Sequence, residues 1–286
     1  MQVKAEDASG NVSFATTAFT RVAAGDSIGP MFVSSKANED SQTQQHISWL
    51  ANPITSENKA IVRYMTAADY EANGNSFESG YTEFEGVSEL LAMGETATAT
   101  ENHAVLVNSA EITGLKRNTE YVYIVGDGTN WSEVHYFSTT IDGENTNFFV
   151  IGDTQAENAA NVETIAEFIG SSGIDYSFGI QTGDFVDSAN SYAQWAEILN
   201  VFSSNFSNVD MVQVLGNHEY AGDLSGNIAS TINMLPNAAY YSVTYGNTYV
   251  AVINYCDAAG LQDAIDWLIE DAQNSNAIWK VLTLHQ

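Results

Sequence analysis

Cysteine, basic side chains and long apolar runs are scarce in this chain of 286 residues. Its single cysteine, Cys256, excludes an intrachain disulfide framework and a zinc site built from several cysteines. No run of about 18 consecutive apolar residues occurs, so the sequence predicts no helix that spans a bilayer. The first residues have neither a basic start nor an apolar stretch, so no signal peptide is visible in the chain as given.

Basic residues number only 8 against 36 acidic ones, which gives a formal net charge of −28. A surface this acidic repels phosphate backbones and anionic lipids, so we expect no general binding of nucleic acid or of membrane surfaces. A local site for cations is compatible with the same charge. Hydrophobic residues make up 44% of the chain, which is enough for packed cores, and the length suggests about two domains.

The part of the chain up to about residue 141 has the pattern of short strands and turns. Four segments are rich in β-branched and aromatic residues: 45–50, 60–65, 120–125 and 131–137. Residues 71–94 carry scattered glycines and acidic residues, and we expect this stretch to contain long loops. Short strands at this spacing predict an all-β sandwich over residues 30–141.

The pattern changes after the polar, non-periodic residues 142–147, which we interpret as a linker. From residue 148 onward, short apolar strands alternate with segments of helical periodicity, and Phe148–Ile151 has the composition of a fully buried strand. This alternation predicts a layered α/β domain over residues 148–286. Ligands of such sheets bind beyond the carboxyl ends of the strands, so the residues that follow each strand are the first candidates for a site.

Each of four predicted strands in this second part is followed by a glycine and a polar residue, or by a histidine. The segments are Gly152-Asp153-Thr154-Gln155, Gly183-Asp184-Phe185-Val186-Asp187, Gly216-Asn217-His218-Glu219 and His285. A Gly-Asp pair alone has little weight, because such pairs are common in turns. In this order, and directly after apolar strands, the segments bring carboxylates, an amide and imidazoles to one rim. That mixture of oxygen and nitrogen donors suits Fe, Mn or Zn.

Simpler interpretations exist for each of these residues taken singly. Asp153 could cap the helix that follows it, Asn217 could be a turn residue, and His285 could be a core histidine. For Asp187, a position at the start of the next helix or behind Asp184 is favoured over direct metal binding. The interpretation as a metal site therefore depends on the whole set.

The order of the motifs resembles that of the calcineurin-like metallophosphoesterase superfamily. Within it the chain is similar to purple acid phosphatases, because residues 112–139 resemble the end of the fibronectin-III-like domain that precedes their catalytic domain. The resemblance implies hydrolysis of a phosphate-ester substrate, with monoesters favoured, at a centre of two divalent or trivalent metal ions. Metal-bound hydroxide would be the nucleophile, and Fe, Mn or Zn would be the ions.

The resemblance also implies a role for individual residues. Asp153 would bind the first metal, Asp184 would bridge both, and Asn217 and His285 would bind the second. His218 would be catalytic, because it would face the leaving group and stabilise or protonate it.

Three departures from the family pattern limit this transfer of roles. Gln155 stands where many members have a histidine ligand, and Asp187 stands where purple acid phosphatases have the tyrosine that colours their ferric site. Both are further candidates, either as metal ligands or as residues behind the ligands. The family's later Gly-His-x-His motif does not occur before Gln286, so we expect the chain to lack part of the catalytic domain and to show little or no turnover by itself.

Residues 3–13 resemble the closing strand and turn of an upstream fibronectin- or Ig-like module, with Asp7–Asn11 as the hairpin turn. Because chains with such modules are usually exported, analogy at the level of the fold predicts an extracellular or cell-surface setting. A second function, from another class, stays open: a non-catalytic surface module with a degenerate metal site. The predicted organisation is a remnant or linker over 1–29, the sandwich over 30–141, the linker over 142–147 and an incomplete metallophosphoesterase domain over 148–286.

Overall fold

The computed structural model describes residues 2–6, 12–16, 31–36, 40–52, 59–93, 103–141, 143–155, 159–233, 235 and 239–286. A β-sandwich is followed by a mixed α/β domain, so the predicted fold class is confirmed for both parts, in the predicted order. The residue boundaries of the domains stay predictions. None of the described helices is long and apolar enough to cross a membrane.

The first part of the described chain consists of ten strands and one short helix, α1 (Ala67–Ala72). The strands are β1 (Gln2–Glu6), β2 (Val12–Thr16), β3 (Met31–Lys36), β4 (Gln44–Ala51), β5 (Ile61–Thr66), β6 (Thr82–Glu85), β7 (Val87–Met93), β8 (His103–Thr113), β9 (Glu120–Gly126) and β10 (His135–Ser138). Strands β1 and β2 pair antiparallel. The hairpin turn predicted between them, Asp7–Asn11, lies outside the described residues.

Two antiparallel sheets form the sandwich, with strand orders β10-β9-β5-β6 and β3-β4-β8-β7. Their facing sides bury Ile47, Trp49 and Ile112 from one sheet against Val62 and Tyr123 from the other, each at most 2% exposed. The alternation of apolar and polar residues that predicted the strands therefore corresponds to the two sides of each sheet.

Two details of the sandwich differ from the sequence prediction. Within residues 71–94, where long loops are expected, residues 73–81 form a loop, whereas 82–85 and 87–93 are strands β6 and β7, which pair with β5 and β8. Both are outer strands whose side chains are mostly exposed, which explains their acidic, glycine-flanked composition. Conversely, the strand predicted over residues 131–137 begins only at His135, and Trp131 forms an isolated bridge with Gly126.

The second part of the described chain is built from strands and helices, and its last three strands form a second sheet. The elements are β11 (Phe148–Ile151), α2 (Ala159–Gly170), β12 (Phe178–Gln181), α3 (Tyr192–Phe206), β13 (Asp210–Gln213), a 3₁₀ helix (His218–Tyr220), α4 (Asn227–Asn233), β14 (Tyr240–Tyr245), β15 (Thr248–Ile253), α5 (Leu261–Asn274) and β16 (Trp279–Thr283).

These elements form four layers. Strands β11, β12 and β13 are parallel, and β3 of the sandwich continues their sheet through the pair Lys36 and Met211. Strands β14, β15 and β16 form the second sheet, in which β16 runs parallel to β15. The two sheets pack face to face, while α2 and α3 cover the first sheet and α5 covers the second. A double β-layer between helices results.

Strand β11 differs from its predicted burial. Phe148 is 37% exposed and Val150 is 56% exposed, so this apolar run is not fully buried. Within the described residues β11 pairs with β12 alone and forms the edge of the sheet, which leaves part of its surface open. Composition indicated a strand correctly but could not tell an edge strand from a central one.

Candidate metal centre

The predicted site residues follow strands whose carboxyl ends meet at one rim. Asp153 follows β11, Asp184 follows β12, and Asn217 follows β13, all in one parallel sheet. His285 follows β16 of the second sheet, and its ring lies 3.2 Å from the carboxylate of Asp184. The rim therefore combines strand ends from both sheets, which the order of residues in the sequence does not reveal.

The glycines before three of these residues are required by lack of space. A Cβ atom at Gly216 would collide with the Asp184 carboxylate, and one at Gly183 would lie 2.7 Å from the Cβ atom of His285. A Cβ atom at Gly152 would collide with the side chain that follows β12. Glycine at these positions lets the backbone of one strand end approach the side chains of the next.

Replacing Gly216 with alanine is expected to lower the free energy of unfolding by about 1–3 kcal/mol, the usual cost of overpacking. The added methyl group would lie 2.6 Å from the backbone nitrogen of Asp184, which cannot move away as a flexible side chain could. Urea denaturation measures the change. Gly170→Ala is the matched control, because a Cβ atom there has its nearest neighbour at 3.9 Å. Equal stability of the two variants would contradict this prediction.

Asp153, Asp184 and His285 form a group that could hold a metal ion. Each offers one ligand atom, and these atoms lie within 4.8 Å of one another. Asp153 is exposed at the rim, Asp184 is only 3% exposed, and His285 is partly buried. Two oxygen donors and one nitrogen donor are a set that Fe, Mn and Zn accept.

The ring of His285 is oriented for binding a metal through Nε2. Its Nδ1 lies 2.8 Å from the carbonyl oxygen of Thr182, which can only accept, so Nδ1 carries the proton. Nε2 then presents its lone pair toward the rim, 3.2 Å from Oδ2 of Asp184. A backbone carbonyl that fixes the tautomer in this way is typical of metal-binding histidines.

Asp153 and Asp184 both adopt backbone angles that are rare for residues other than glycine, with φ of +51° and +56°. Such a conformation costs roughly 1–2 kcal/mol per residue. Backbone hydrogen bonds between the two turns hold it in place: Asp153 donates to the carbonyl of Gly183 at 3.2 Å, and Thr154 donates to that of Asp184 at 2.9 Å. Strain of this kind is concentrated at functional sites.

Glu219 is the site residue whose importance the sequence did not reveal. Its side chain is fully buried, and its carboxylate accepts hydrogen bonds from the backbone amides of Asp184, Phe185 and Gly216 at 2.9, 2.8 and 2.7 Å. Burial raises the pKa of this carboxyl, although the three amides act in the opposite direction. The only sequence signal was its place in the Gly-Asn-His-Glu segment.

His218 lies at the rim with its side chain 36% exposed. Its backbone amide donates to Oδ1 of Asp184 at 3.0 Å, and its Nδ1 lies 3.0 Å from the carbonyl oxygen of Asp187. The hydrogen bond with that carbonyl is the main cause that raises the pKa of His218. Nε2 is 3.8 Å from Oδ2 of Asp184. The adjacent Asn217 is exposed and directly precedes the 3₁₀ helix.

The two further candidates have different surroundings. The amide nitrogen of Gln155 donates to Oδ2 of Asp184 at 3.2 Å, which places Gln155 at the metal group. The carboxylate of Asp187 instead accepts from the side chain of Gln194 at 3.4 Å, while its backbone carbonyl positions His218. The role of Asp187, among the metal ligands or behind them, stays a prediction.

The end of β15 also approaches the site, and no sequence motif predicts this. After β15, the amide nitrogen of Asn254 donates to the hydroxyl of Tyr220 at 2.7 Å. A Cβ atom at Gly226 would lie 2.9 Å from the ring of Tyr220, so this ring is held from two sides. The segment after the Gly-Asn-His-Glu motif is therefore joined to the second sheet, and it contains α4 rather than only a loop.

The charges of the rim fit a cation. Within the described part of the chain, no lysine or arginine forms an ion pair with Asp153 or Asp184, and the hydrogen-bond donors at the Asp184 carboxylate are the side-chain amide of Gln155 and the backbone amide of His218. Two adjacent carboxylates without a basic partner are unfavourable unless a cation compensates them. The donor set and the uncompensated charge both favour a metal ion.

Comparison with known protein families gives two matches in succession. The model for the purple acid phosphatase N-terminal domain matches residues 30–139, and the model for calcineurin-like phosphoesterases matches residues 146–286. No curated protein sequence matches the chain.

Two solved structures share the fold over most of this chain. Purple acid phosphatase PPD1 from yellow lupin (Lupinus luteus) seeds aligns with a TM-score of 0.71 at 14% identity, covering 90% of this chain and 51% of that protein. The structure of PhoD aligns with a TM-score of 0.59 at 14% identity, covering 91% of this chain and 63% of that one. At such identities the similarity shows the fold alone. The chain spans about half the length of the lupin protein.

The family matches, the layered fold and the order of the rim motifs agree with one another. The sequence resemblance is thereby confirmed, and it covers both parts of the chain. The chain therefore contains a calcineurin-like phosphoesterase domain over residues 146–286 and, before it, an N-terminal domain of the purple acid phosphatase type over residues 30–139.

Proposed function

We propose that the rim is a centre for two metal ions and that the protein hydrolyses phosphate esters, with monoesters favoured. The observation that carries this proposal is the group of Asp153, Asp184 and His285, whose ligand atoms lie within 4.8 Å at the joint end of two sheets. The preference for monoesters is supported by the similarity of the preceding domain to that of purple acid phosphatases.

The ligand roles proposed here are those that the resemblance implies. Asp153 would hold the first ion, Asp184 would bridge both, and Asn217 and His285 would hold the second. The identity of the ions, Fe, Mn or Zn, is part of the proposal. When bound, such ions supply Lewis-acid stabilisation of the charge that develops on the phosphoryl oxygens.

The residues of the chain would prepare the site for this chemistry. Thr182 fixes the His285 tautomer through its carbonyl, so that Nε2 is available at the rim. His218 donates from Nδ1 to the carbonyl of Asp187, so Nε2 carries a proton only in the imidazolium form, and that form would donate it to the leaving oxygen of a bound ester. The ring is partly exposed, which leaves room for a leaving group beside it.

In the full-length protein, His218→Ala is expected to lower kcat for p-nitrophenyl phosphate by about 10²–10⁴-fold, the usual contribution of a general acid. The number of bound Mn²⁺ ions, measured by calorimetry, should not change, because the side chain of His218 is not proposed as a ligand. His46→Ala in β4 of the sandwich is the control and should keep both properties. Loss of both ions from the His218 variant would count against its role beside the ligands.

A non-catalytic module with a degenerate metal site is the second candidate function. Gln155 favours it, because its amide nitrogen, and not an imidazole, faces Asp184. Calorimetry with Mn²⁺ and Zn²⁺, combined with assays of p-nitrophenyl phosphate and bis-p-nitrophenyl phosphate on the intact protein, separates the two functions. Metal-dependent cleavage of the monoester supports the enzyme, and binding of two ions without cleavage of either ester supports the module.

We also propose which partners and which location the protein has. The net charge of −28 supports the proposal that its general surface does not bind nucleic acid. An extracellular or cell-surface setting stays a prediction from the fold-level analogy of the N-terminal part.

A further inference from the structure

We infer that Glu219 is a positioning residue that holds the bridging ligand Asp184 in its metal-binding conformation before any ion arrives. This inference rests on the proposed metal centre and assigns Glu219 no contact with substrate. It is drawn from hydrogen bonds, burial and backbone conformation around one side chain.

The carboxylate of Glu219 joins two strand-end turns. Oε2 accepts from the amides of Asp184 at 2.9 Å and Gly216 at 2.7 Å, and Oε1 accepts from the amide of Phe185 at 2.8 Å. The turn after β12 carries Asp184, and the turn after β13 carries Asn217 and His218. One carboxylate therefore sets the spacing between two groups of proposed site residues.

The turn that carries Asp184 needs such support. Asp184 has a φ of +56° and follows Gly183 with a φ of +98°, a conformation that residues other than glycine rarely adopt. Both amides at and after this position, those of Asp184 and Phe185, have their acceptor in Glu219. Without that acceptor, the turn would lose the interactions that favour the strained conformation.

The orientation of the Asp184 carboxylate follows from this frame. Its Oδ1 accepts from the backbone amide of His218 at 3.0 Å, and this amide belongs to the turn that Glu219 ties down through Gly216. Its Oδ2 is thereby directed to His285 Nε2 at 3.2 Å. Glu219 thus acts on the ligand atom through two backbone turns.

A role in filling space alone does not account for the carboxylate. Glu219 is fully buried, and within the described residues no lysine or arginine pairs with it. Burying a charge beside another carboxylate is costly, and a neutral side chain would fill the same volume at lower cost. Three charge-assisted hydrogen bonds to backbone amides are what the carboxylate offers and an apolar residue cannot.

Glu219→Gln tests the inference with little change in size. A glutamine has one oxygen and one NH₂ group, so at least one of the three amides loses its acceptor. We expect the Kd for Mn²⁺, measured by calorimetry on the folded chain, to rise about 10–100-fold, as found for residues that orient metal ligands. Near-ultraviolet circular dichroism establishes that the variant is folded.

Asp210→Asn is the matched control. Asp210 is likewise a buried carboxylate, but it begins β13 at the end opposite the rim. Its replacement should leave the Kd for Mn²⁺ unchanged within about twofold. An unchanged Kd in a folded Glu219→Gln variant would overturn the inference, while a lower stability with unchanged Kd would show a purely structural role.

A measurement on the unmodified chain keeps the test valid even where the variant fails to fold. In the metal-free protein, the amides of Asp184, Phe185 and Gly216 should exchange with deuterium at least about 100-fold more slowly than in an unfolded chain. Exchange at the unfolded rate would overturn the inference. Absence of Mn²⁺ binding by the unmodified chain would instead contradict the proposed metal centre itself, and the inference with it.

Discussion

Asp184→Ala is expected to remove both metal ions from the protein, whereas Asp153→Ala should remove only one. In the proposed centre Asp184 is the shared ligand, and its carboxylate already lies between His285 Nε2 at 3.2 Å and Gln155 Nε2 at 3.2 Å. Loss of a bridging carboxylate takes a ligand from both sites and the negative charge that holds two cations close together. Calorimetric titration with Mn²⁺ gives the number of ions and their Kd values.

The matched control for this experiment is Asp187→Ala. Its carboxylate accepts from Gln194 rather than facing the metal group, so the number of bound ions should stay the same. Retention of two ions by Asp184→Ala would contradict the bridging role. Loss of an ion from Asp187→Ala would return Asp187 to the set of ligands.

Asp210→Asn is expected to stabilise the protein at pH 7 by roughly 2–4 kcal/mol, from a pKa difference of about three units at 1.36 kcal/mol each. Burial raises the pKa of Asp210 from 3.8 to about 7, against the effect of its hydrogen bonds with Gln45 at 2.8 Å and Tyr245 at 3.3 Å. Among the described residues no basic side chain forms an ion pair with it. An asparagine keeps the oxygen for Gln45 and presents an NH₂ group to the oxygen of Tyr245.

The pH dependence gives this prediction its sign. The pKa of Asp210 is higher in the folded protein than in the unfolded chain. The contribution of Asp210 to the free energy of unfolding is therefore most favourable below about pH 4 and is lost as pH rises toward 7. The advantage of Asp210→Asn should therefore be small near pH 4 and reach its full value near pH 7. Urea denaturation at several pH values measures it for both proteins.

Glu120, whose carboxylate is exposed, supplies the control for Asp210→Asn. Glu120→Gln, at the start of β9, should change the free energy of unfolding by less than about 0.5 kcal/mol at every pH. A difference between wild type and Asp210→Asn that stays constant from pH 4 to pH 7 would contradict the prediction. Such a result would mean that an interaction other than its hydrogen bonds stabilises the charge of Asp210 in the folded protein.

Local patterns in the sequence predicted most of the strands and helices, because apolar periodicity reports which side of an element is buried. The helix expected after Asp187 is found at Tyr192–Phe206, and the strand expected before Asp153 is found at Phe148–Ile151. The failures concern edges. Strand formation within residues 82–93 and the exposure of Val150 both depend on which strands lie beside them in the sheet. The residues of a single segment do not contain that information.

The candidate site could be predicted as a set of residues but not as a geometry. Order and glycine spacing pointed to Asp153, Asp184 and His285, which the fold brings within 4.8 Å of one another. The supporting role of Glu219 could not be predicted, because its partners are backbone amides, which every residue except proline carries. The same is true of the carbonyl of Thr182, which fixes the ring of His285.

The sequence by itself determined the excess of acidic residues, the two fold classes and the order of the motifs, since each depends on residue type and on neighbours along the chain. Only the tertiary structure decided how the rim is built. Strand ends from two sheets, more than a hundred residues apart for Gly183 and His285, pack so closely that a single Cβ atom would not fit between them. This close packing determines which carboxylates lie together at the rim, and therefore where the proposed metal centre is located.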